Sequence, residues 1–406
     1  MKIVFYNHTG KVSGAERLLL TLLARLNPAE FERIMVCPHD GPLAEMVADT
    51  GVSVQLVNTL EARFTWRPGQ LARYARSFYR VIAGFRGKIL ELNPDVIHAN
   101  SIRAGLVATV ATIGLKMKVV WHLHDLLPRH PLSSAIRMVA ALSNRSRMIA
   151  VSQAVSRNFC GRLAWLFRRR VRVILNGIDL KNFFVDGTDR DAMRECLSLA
   201  KNDLAIGIVG QLTPRKGQME LLLAFAKLVR DIPQAVLVIA GSAIFNRDSE
   251  YEQQLRETVQ RLGLSDCVRM LGERSDIPQI MRAIDLLVIN SRNEPFGLVA
   301  CEAMAVGTPV IATNRDGLAE IINHQRNGWL VQFGDQKALV DAMTFLMERP
   351  ETRKHLAETA RADVARRFTI ERYLNEINDF YRSFDNADVS PATALREKGQ
   401  ATSFAQ

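Results

Sequence analysis

Short runs of β-branched and apolar residues recur along the chain with longer amphipathic stretches between them, and this rhythm restricts the fold more than any other feature. Seven runs come first: KIVFY (2–6), RIMVC (33–37), VSVQLV (52–57), DVIHA (95–99), KVVWHL (118–123), RMIAVS (147–152) and VRVILN (171–176). Apolar runs alternating with helical patterns indicate a parallel sheet, because parallel neighbours need crossovers and the crossover helices cover the sheet. The turn-rich NGIDLKNFF (176–184) reads as a hinge. A second series follows it: LAIGIVG (204–210), AVLVIAG (235–241), CVRML (267–271), DLLVIN (285–290), PVIAT (309–313) and WLVQF (329–333). The expected fold class is α/β with two Rossmann-like domains, over 1–180 and 181–366, and 406 residues suffice for two cores. The last residues, 386–406, lack apolar periodicity and read as an unstructured tail.

Charge is divided unevenly between the halves. Residues 1–180 hold 25 Lys+Arg against 11 Asp+Glu, and the remainder holds 28 against 31, so the overall +11 resides in the first half. Such a half is drawn to an anionic partner. No apolar stretch approaches the ~18 residues that suggest a membrane span, and MKIVFY enters a strand without a signal-peptide pattern, so a cytoplasmic protein is expected. The five cysteines are scattered without a CxxC pair, which suggests neither disulfides nor a zinc site.

One stretch supplies a candidate partner surface. In 71–90, Leu71, Tyr74, Phe78, Ile82, Phe85 and Ile89 share a helical stripe, with Arg73, Arg76, Arg80 and Lys88 opposite. A solvated face on a core helix accounts for this pattern. The segment 157–173 adds a second basic cluster with Trp165 and Phe167, both read as exposed, and the two together favour an anionic membrane surface as partner. No recognisable nucleic-acid module accompanies the charge, so nucleic acid is not an expected partner.

Several segments place reactive groups where a strand meets a helix. GIVGQLTPRKG (207–217) brings Arg215 and Lys216 to a helix start, whose unpaired N–H groups already attract anions; two fixed cations there would clamp a diphosphate. NHTGKVSG (7–14) crosses a similar edge through Gly10 and Gly14, where close backbone approach to a ligand and a simple need for positive φ are both open readings. HLHD (122–125) sets His122 and His124 on one side of a strand. No third ligand is well placed for a metal, and one imidazole facing a cleft with the other structural is the preferred reading. Asp189-Arg190-Asp191 spells DxD, a metal-holding pattern in some sugar-nucleotide enzymes, but here reads as a helix cap. No metal ligands are assigned.

NEPFGLVACEAM (293–304) poses the sharpest question, since Glu302 lies inside an apolar helical run and a buried carboxylate needs a partner to stay charged. With a helix starting near Phe296, Glu294 and Glu302 would be about 12 Å apart, a span suited to two ends of one ligand. That exceeds the spacing of a retaining glycosidase pair, although an inverting pair stays open. Downstream, Asp316, Gly317 and Glu320 form another expected ligand-facing edge.

Taken together, NEPFGLVACEAMAVGTPVIAT, GLAEII, NGWLV, GQLTPRKG, HANS, HLHDLLP, AVS and ILNGID closely resemble the retaining GT-B glycosyltransferases of group 1, also called family 4, in order and spacing over most of the chain. The resemblance implies two lobes facing each other across a cleft, with a helix at 367–385 crossing back to the first. It implies a nucleotide-sugar donor, UDP- or GDP-linked, as co-substrate and no other cofactor. By the same resemblance Glu302 would bind the ribose and Glu294 the transferred sugar, with the N–H groups of Phe296, Gly297 and Leu298 near sugar and diphosphate. Arg215 and Lys216 would hold the diphosphate in place of a metal. His124 would line the sugar pocket, and Gly14 would let donor and acceptor meet at the cleft. Gly210, at the head of GQLTPRKG, joins the donor-binding set. Gln211 and Ser13 depart from the arginine and second glycine that many relatives carry. The acceptor implied is a lipid-linked or envelope glycan at the inner face of the cytoplasmic membrane. A hydrolase using the two glutamates, or a non-catalytic scaffold, are the alternatives.

Overall fold

The computed structural model describes residues 1–60, 67–183, 190–243 and 249–386. Both series of apolar runs form strands. Lys2–Tyr6 (β1), Glu32–Cys37 (β2), Ser53–Leu56 (β3), Val96–Ala99 (β4), Lys118–Leu123 (β5), Ser146–Ala150 (β6) and Val171–Val173 (β7) make one seven-stranded sheet in the order β3-β2-β1-β4-β5-β6-β7. Leu204–Val209 (β8), Ala235–Ala240 (β9), Val268–Gly272 (β10), Leu286–Ile289 (β11), Val310–Thr313 (β12) and Trp329–Val331 (β13) make a second in the order β10-β9-β8-β11-β12-β13. Every strand pairing is parallel, as the two expected Rossmann-like sheets require.

Strand alternation divides the first lobe into two layers. Val4 and Tyr6 of β1 face helices Pro68–Leu92 and Ile102–Ala111 through Val81, Phe85, Ile89, Ala104 and Val107, while Ile3 and Phe5 face the helix Gly14–Arg25 through Leu18, Leu19 and Leu22. The last helix, Ile370–Asn386, also lies on this second face. Its Ile370, Tyr373, Ile377, Phe380, Tyr381 and Phe384 follow a helical stripe and are all buried in the first lobe's core. Each large apolar side chain buried there contributes about 1.5–3 kcal/mol relative to exposure. The chain therefore passes between the lobes twice, and the crossings touch: the Ile178 N–H donates to Phe368 O at 2.8 Å and the Ile370 N–H to Ile178 O at 2.9 Å.

Phe167 is 1% exposed, packed on Phe159, whereas Trp165 is 73% exposed, so only the tryptophan belongs to the basic surface. Neither Gly10 nor Gly14 takes a positive φ. Gly10 is instead needed for close approach, because a Cβ there would lie 2.8 Å from Pro38 O and the Gly41 nitrogen. Of the DxD triplet, Asp189 lies outside the described residues. Arg190 is bound to Asp285 at 2.7 Å, just before β11 and thus at the sheet edge opposite the carboxyl ends. Of the tail 386–406, Asn386 closes the last helix and the remainder lies outside the described residues.

Candidate active site

In a parallel sheet the ligand edge is the one formed by the strands' carboxyl ends. In the first lobe Asn7 follows β1, Asn100 follows β4 and His124 follows β5. His124 Nε2 lies 3.2 Å from Asn100 Oδ1, an oxygen that only accepts, so Nε2 carries the proton in this pair. Burial pushes the imidazole down to about 3, so it is neutral at physiological pH and its Nδ1 keeps a lone pair. The side chain can therefore accept a hydrogen bond from a sugar hydroxyl. Asn100 donates to Asn7 at 3.4 Å, Asn7 donates to Glu16 at 3.2 Å, and Glu16 accepts the Ser13 N–H at 3.0 Å. This polar chain fixes the loop carrying Gly14 relative to His124. His122 is 1% exposed, with Nδ1 3.1 Å from His98, and has a structural place beneath His124.

The second lobe presents the complementary wall. After β8, the residues Pro214–Lys216 form one turn that ends at Gly217, with φ of 71°. A Cβ on Gly217 would meet Asn290 O at 2.1 Å, so the turn presses against the loop after β11 in a way only glycine allows. That contact brings the two motifs together. Lys216 Nζ donates to Glu294 Oε2 at 2.6 Å, Ser291 Oγ donates to the same oxygen at 3.0 Å, and Arg215 Nη1 donates to Asn293 O at 2.9 Å. Gly210 takes φ of 137°, a backbone conformation that favours glycine, beside the Lys216 stem; a Cβ there would make only ordinary contact with Lys216 Cε at 3.9 Å. Burial works to raise the Glu294 pKa, but the attraction of Lys216 and Arg215 and the Lys216 and Ser291 hydrogen bonds outweigh it and hold the carboxyl below its ordinary range.

The helix bearing Glu302 runs Leu298–Val306, two residues later than expected, because Gly297 takes φ of 112° and precedes it as a cap. Glu294 thus lies in a loop before the helix, so the helical rise that predicts about 12 Å does not set its separation from Glu302. Both carboxylates instead feel Lys216, directly for Glu294 and through the field for Glu302. Glu302 makes no hydrogen bond among the described residues. Nor do the backbone N–H groups of Phe296, Gly297 and Leu298 find acceptors there, which leaves a row of donors at the head of the helix beside an unsatisfied carboxyl.

The two walls face each other. A Cβ on Gly14 would lie 3.6 Å from Leu298 Cδ1, the field of Arg17 lowers the Glu302 pKa across the seam, and that of Arg215 does the same to Asp125. Glu320, expected at a ligand edge, does something else. Its carboxylate accepts the N–H groups of Gln153 (2.8 Å) and Ala154 (2.6 Å) at the start of the first lobe's helix Gln153–Cys160, and Ser152 Oγ donates to Pro295 O at 2.6 Å. Glu320 is thus a contact between lobes, drawn to the helix N-terminus by its partial positive charge.

The profile described as glycosyl transferases group 1 matches residues 189–363, and that described as Glycosyltransferase Family 4 matches 12–182. HepE of Anabaena, solved in complex with UDP-glucose, superposes with a TM-score of 0.80 at 31% identity, over 94% of this chain and 100% of that one. The chain belongs to the group 1 glycosyltransferases, family 4. Its fold is GT-B, and as a member it is a nucleotide-sugar-dependent glycosyltransferase of a retaining family. The UDP-Gal:alpha-D-GlcNAc-diphosphoundecaprenol alpha-1,3-galactosyltransferase of Escherichia coli is 24% identical over 91% of this chain and 94% of its own. The D-inositol 3-phosphate glycosyltransferase of Corynebacterium urealyticum is 29% identical over 84% of each.

Within this glycosyltransferase the sequence reading missed Asn100, Ser291 and Arg17 as members of the site. Arg17 had a signal: it lies three residues after Gly14 on one helix and so on the same face. Asn100 and Ser291 had a weaker one, each following an apolar run at the carboxyl end of its strand. Gln211 holds Gln218 through its carbonyl oxygen at 2.9 Å, which ties the loop to the following helix.

Proposed function

We propose that the enzyme transfers a hexose or N-acetylhexosamine from a UDP-sugar to a lipid-linked or envelope-polysaccharide acceptor, with the donor on residues 181–366 and the acceptor on residues 1–180. The observation that carries this reading is the junction of Lys216, Glu294 and Glu302 opposite His124 at the interlobe seam. Lys216 has three N–H donors and uses one on Glu294, leaving two for diphosphate oxygens. With Arg215 it stabilises charge developing on the departing nucleotide, and the N–H row of Phe296, Gly297 and Leu298 adds neutral donors beside it. Glu294, held ionised, accepts from hydroxyls of the transferred sugar, while Glu302 accepts from the ribose. His124 accepts a further sugar hydroxyl from the first lobe, and the slim Gly14 leaves room for the acceptor. Glu294 is engaged by lysine and serine, so attack by the acceptor from the face the diphosphate leaves, with the phosphate taking the acceptor's proton, fits retention. UDP is favoured over GDP by HepE's UDP-glucose complex, and a lipid-linked acceptor by the activity that names the Escherichia coli relative.

A thermal-shift screen over UDP-, GDP- and ADP-sugars tests the donor. A UDP-sugar at about 100 times its Kd should stabilise the protein by ~2.7 kcal/mol, and acceptor-dependent UDP release should follow. Stabilisation by a GDP- or ADP-sugar alone would overturn the choice of base, and by none of them the donor site.

The same reading places the enzyme in the cytoplasm on the inner membrane face. Arg73, Arg76 and Arg80 are exposed along Pro68–Leu92, beside Tyr79 at 74% exposure. Lys88 is bound to Gln55 at 3.1 Å and to Glu91, and contributes less. No helix among the described residues is long and apolar enough to cross a membrane. Each basic residue near an anionic surface contributes about 1 kcal/mol, so the triple change of Arg73, Arg76 and Arg80 to Glu should weaken binding to phosphatidylglycerol vesicles by roughly 10²-fold or more. Co-sedimentation equal to wild type would exclude this surface.

A further inference from the structure

Beside the interlobe seam the first lobe holds a cavity of about 560 Å³ whose lining includes Arg129, His130, Ser134, Arg137, Arg157 and Asn158, with no carboxylate among the lining residues. Three guanidinium groups at one cavity repel one another unless an anion joins them. Arg129 and Arg137 form no ion pair among the described residues, and Arg157 reaches only Glu320, at 3.8 Å. Arg137 is half-buried and anchored by its Nε on Phe159 O (2.7 Å) and its Nη2 on Asn158 O (2.9 Å), while its Nη1 stays uncommitted. Burial pushes its pKa down against the weaker opposing field of Cys160, and an anion in the cavity would relieve that penalty. The twelve-residue helix Pro131–Leu142 begins at this wall, capped by His130, and adds the positive end of its dipole with the Ser134 hydroxyl in its first turn.

The cavity is joined to the active site by a short, fixed loop. Asn158 Oδ1 accepts the Leu127 N–H at 2.7 Å and its Nδ2 donates to Leu127 O at 3.3 Å, so the segment leaving His124 is stapled at its middle. Arg129 lies five positions after His124, which limits their Cα atoms to about 18 Å apart.

We propose that this cavity binds a phosphate or diphosphate group carried by the acceptor, so that the sugar accepting transfer is a phosphorylated one. The inference rests on the proposed function for the place of the reacting hydroxyl, near His124. The anion held here is distinct from the donor's diphosphate, which belongs to Arg215 and Lys216 on the other lobe.

The experiment titrates inorganic pyrophosphate into enzyme saturated with UDP, so that the donor clamp is already filled, and follows the heat. Wild type should bind, and the Arg129→Ala/Ser134→Glu variant, altered at two exposed positions, should bind at least ten-fold more weakly with its UDP affinity retained. No heat with pyrophosphate at millimolar concentration, or equal affinity in the variant, overturns the proposal. Methyl phosphate and geranyl diphosphate form the other arms. Equal binding of methyl phosphate and pyrophosphate identifies a phosphate monoester such as a sugar phosphate; preference for geranyl diphosphate identifies a lipid diphosphate. If UDP itself fails to bind, the donor assignment falls, yet the response of pyrophosphate binding to the Arg129 and Ser134 changes still reads this cavity.

Discussion

Lys216→Ala should lower turnover of the nucleotide-sugar by roughly 10²–10³-fold, the usual consequence of removing one preorganised group that stabilises developing charge. Two losses combine in this variant. The departing diphosphate loses a cation held ready by Glu294 at 2.6 Å, and Glu294 loses the nearest charge opposing its desolvation. Its carboxyl then moves up toward protonation, where it donates rather than accepts and binds sugar hydroxyls in a different pattern. Because the folded pKa of Glu294 is lowered in wild type, its interactions add stability above the ordinary carboxylate range and lose that contribution as pH falls through the folded value. Lys216→Ala should therefore flatten the acid limb of the stability profile. The stability loss should stay under the ~3–5 kcal/mol of a broken buried pair, because Ser291 still binds the carboxylate and both partners keep slight exposure. Single-turnover nucleotide release beside thermal unfolding separates the effects. Turnover close to wild type would remove Lys216 from the reaction, and unfolding in step with activity would make its role structural.

The sheets were legible because their signal is local. A buried parallel strand must be apolar on both faces, and every run in both series is a strand, including the three-residue Trp329–Val331. The association of Lys216 with Glu294 was legible only as two separate strand-to-helix motifs. What joins them is the fit of Gly217 against Asn290, and no sequence period encodes a contact between loops of different crossovers. Contacts across the seam were harder still. Glu320 sits in a motif that suggested a ligand edge, and only the approach of the first lobe's helix shows that its partners are the Gln153 and Ala154 N–H groups. Phe167 misled for the opposite reason: three arginines follow it, yet its ring packs inward against Phe159 while Trp165, two residues earlier, faces outward. Charge density along the chain says little about which neighbouring side chain turns inward.

Glu302→Gln should separate stability from donor binding, with opposite signs. Burial pushes the Glu302 carboxyl up to about 7, against the opposing pull of Arg17 and Lys216. The native state therefore binds more protons than the unfolded chain from about pH 4.3 to 7, so the stability associated with this group is present below that window and is lost as pH rises through it. Glutamine cannot ionise, and the ligand-free variant should melt above wild type near pH 8, with the difference shrinking as pH falls and vanishing only below about pH 4, under the unfolded carboxylate pKa. Donor binding needs the opposite protonation state. Two ribose hydroxyls can donate to an ionised carboxylate, whereas glutamine offers one neutral acceptor, and losing the charge-assisted bonds costs about 1.5–3 kcal/mol, a ten- to hundred-fold rise in donor Kd. Wild-type affinity should also fall between about pH 8 and 6 as Glu302 takes up its proton, while the variant stays flat. Calorimetric titration of the stabilising nucleotide-sugar at both pH values, with matched melting curves, reads both signs. A donor Kd indifferent to pH and to the substitution would show that the ribose binds elsewhere. A lower melting point for the variant near pH 8 would show that the ionised carboxylate has a partner in the free protein, so that its charge is already compensated before the donor arrives.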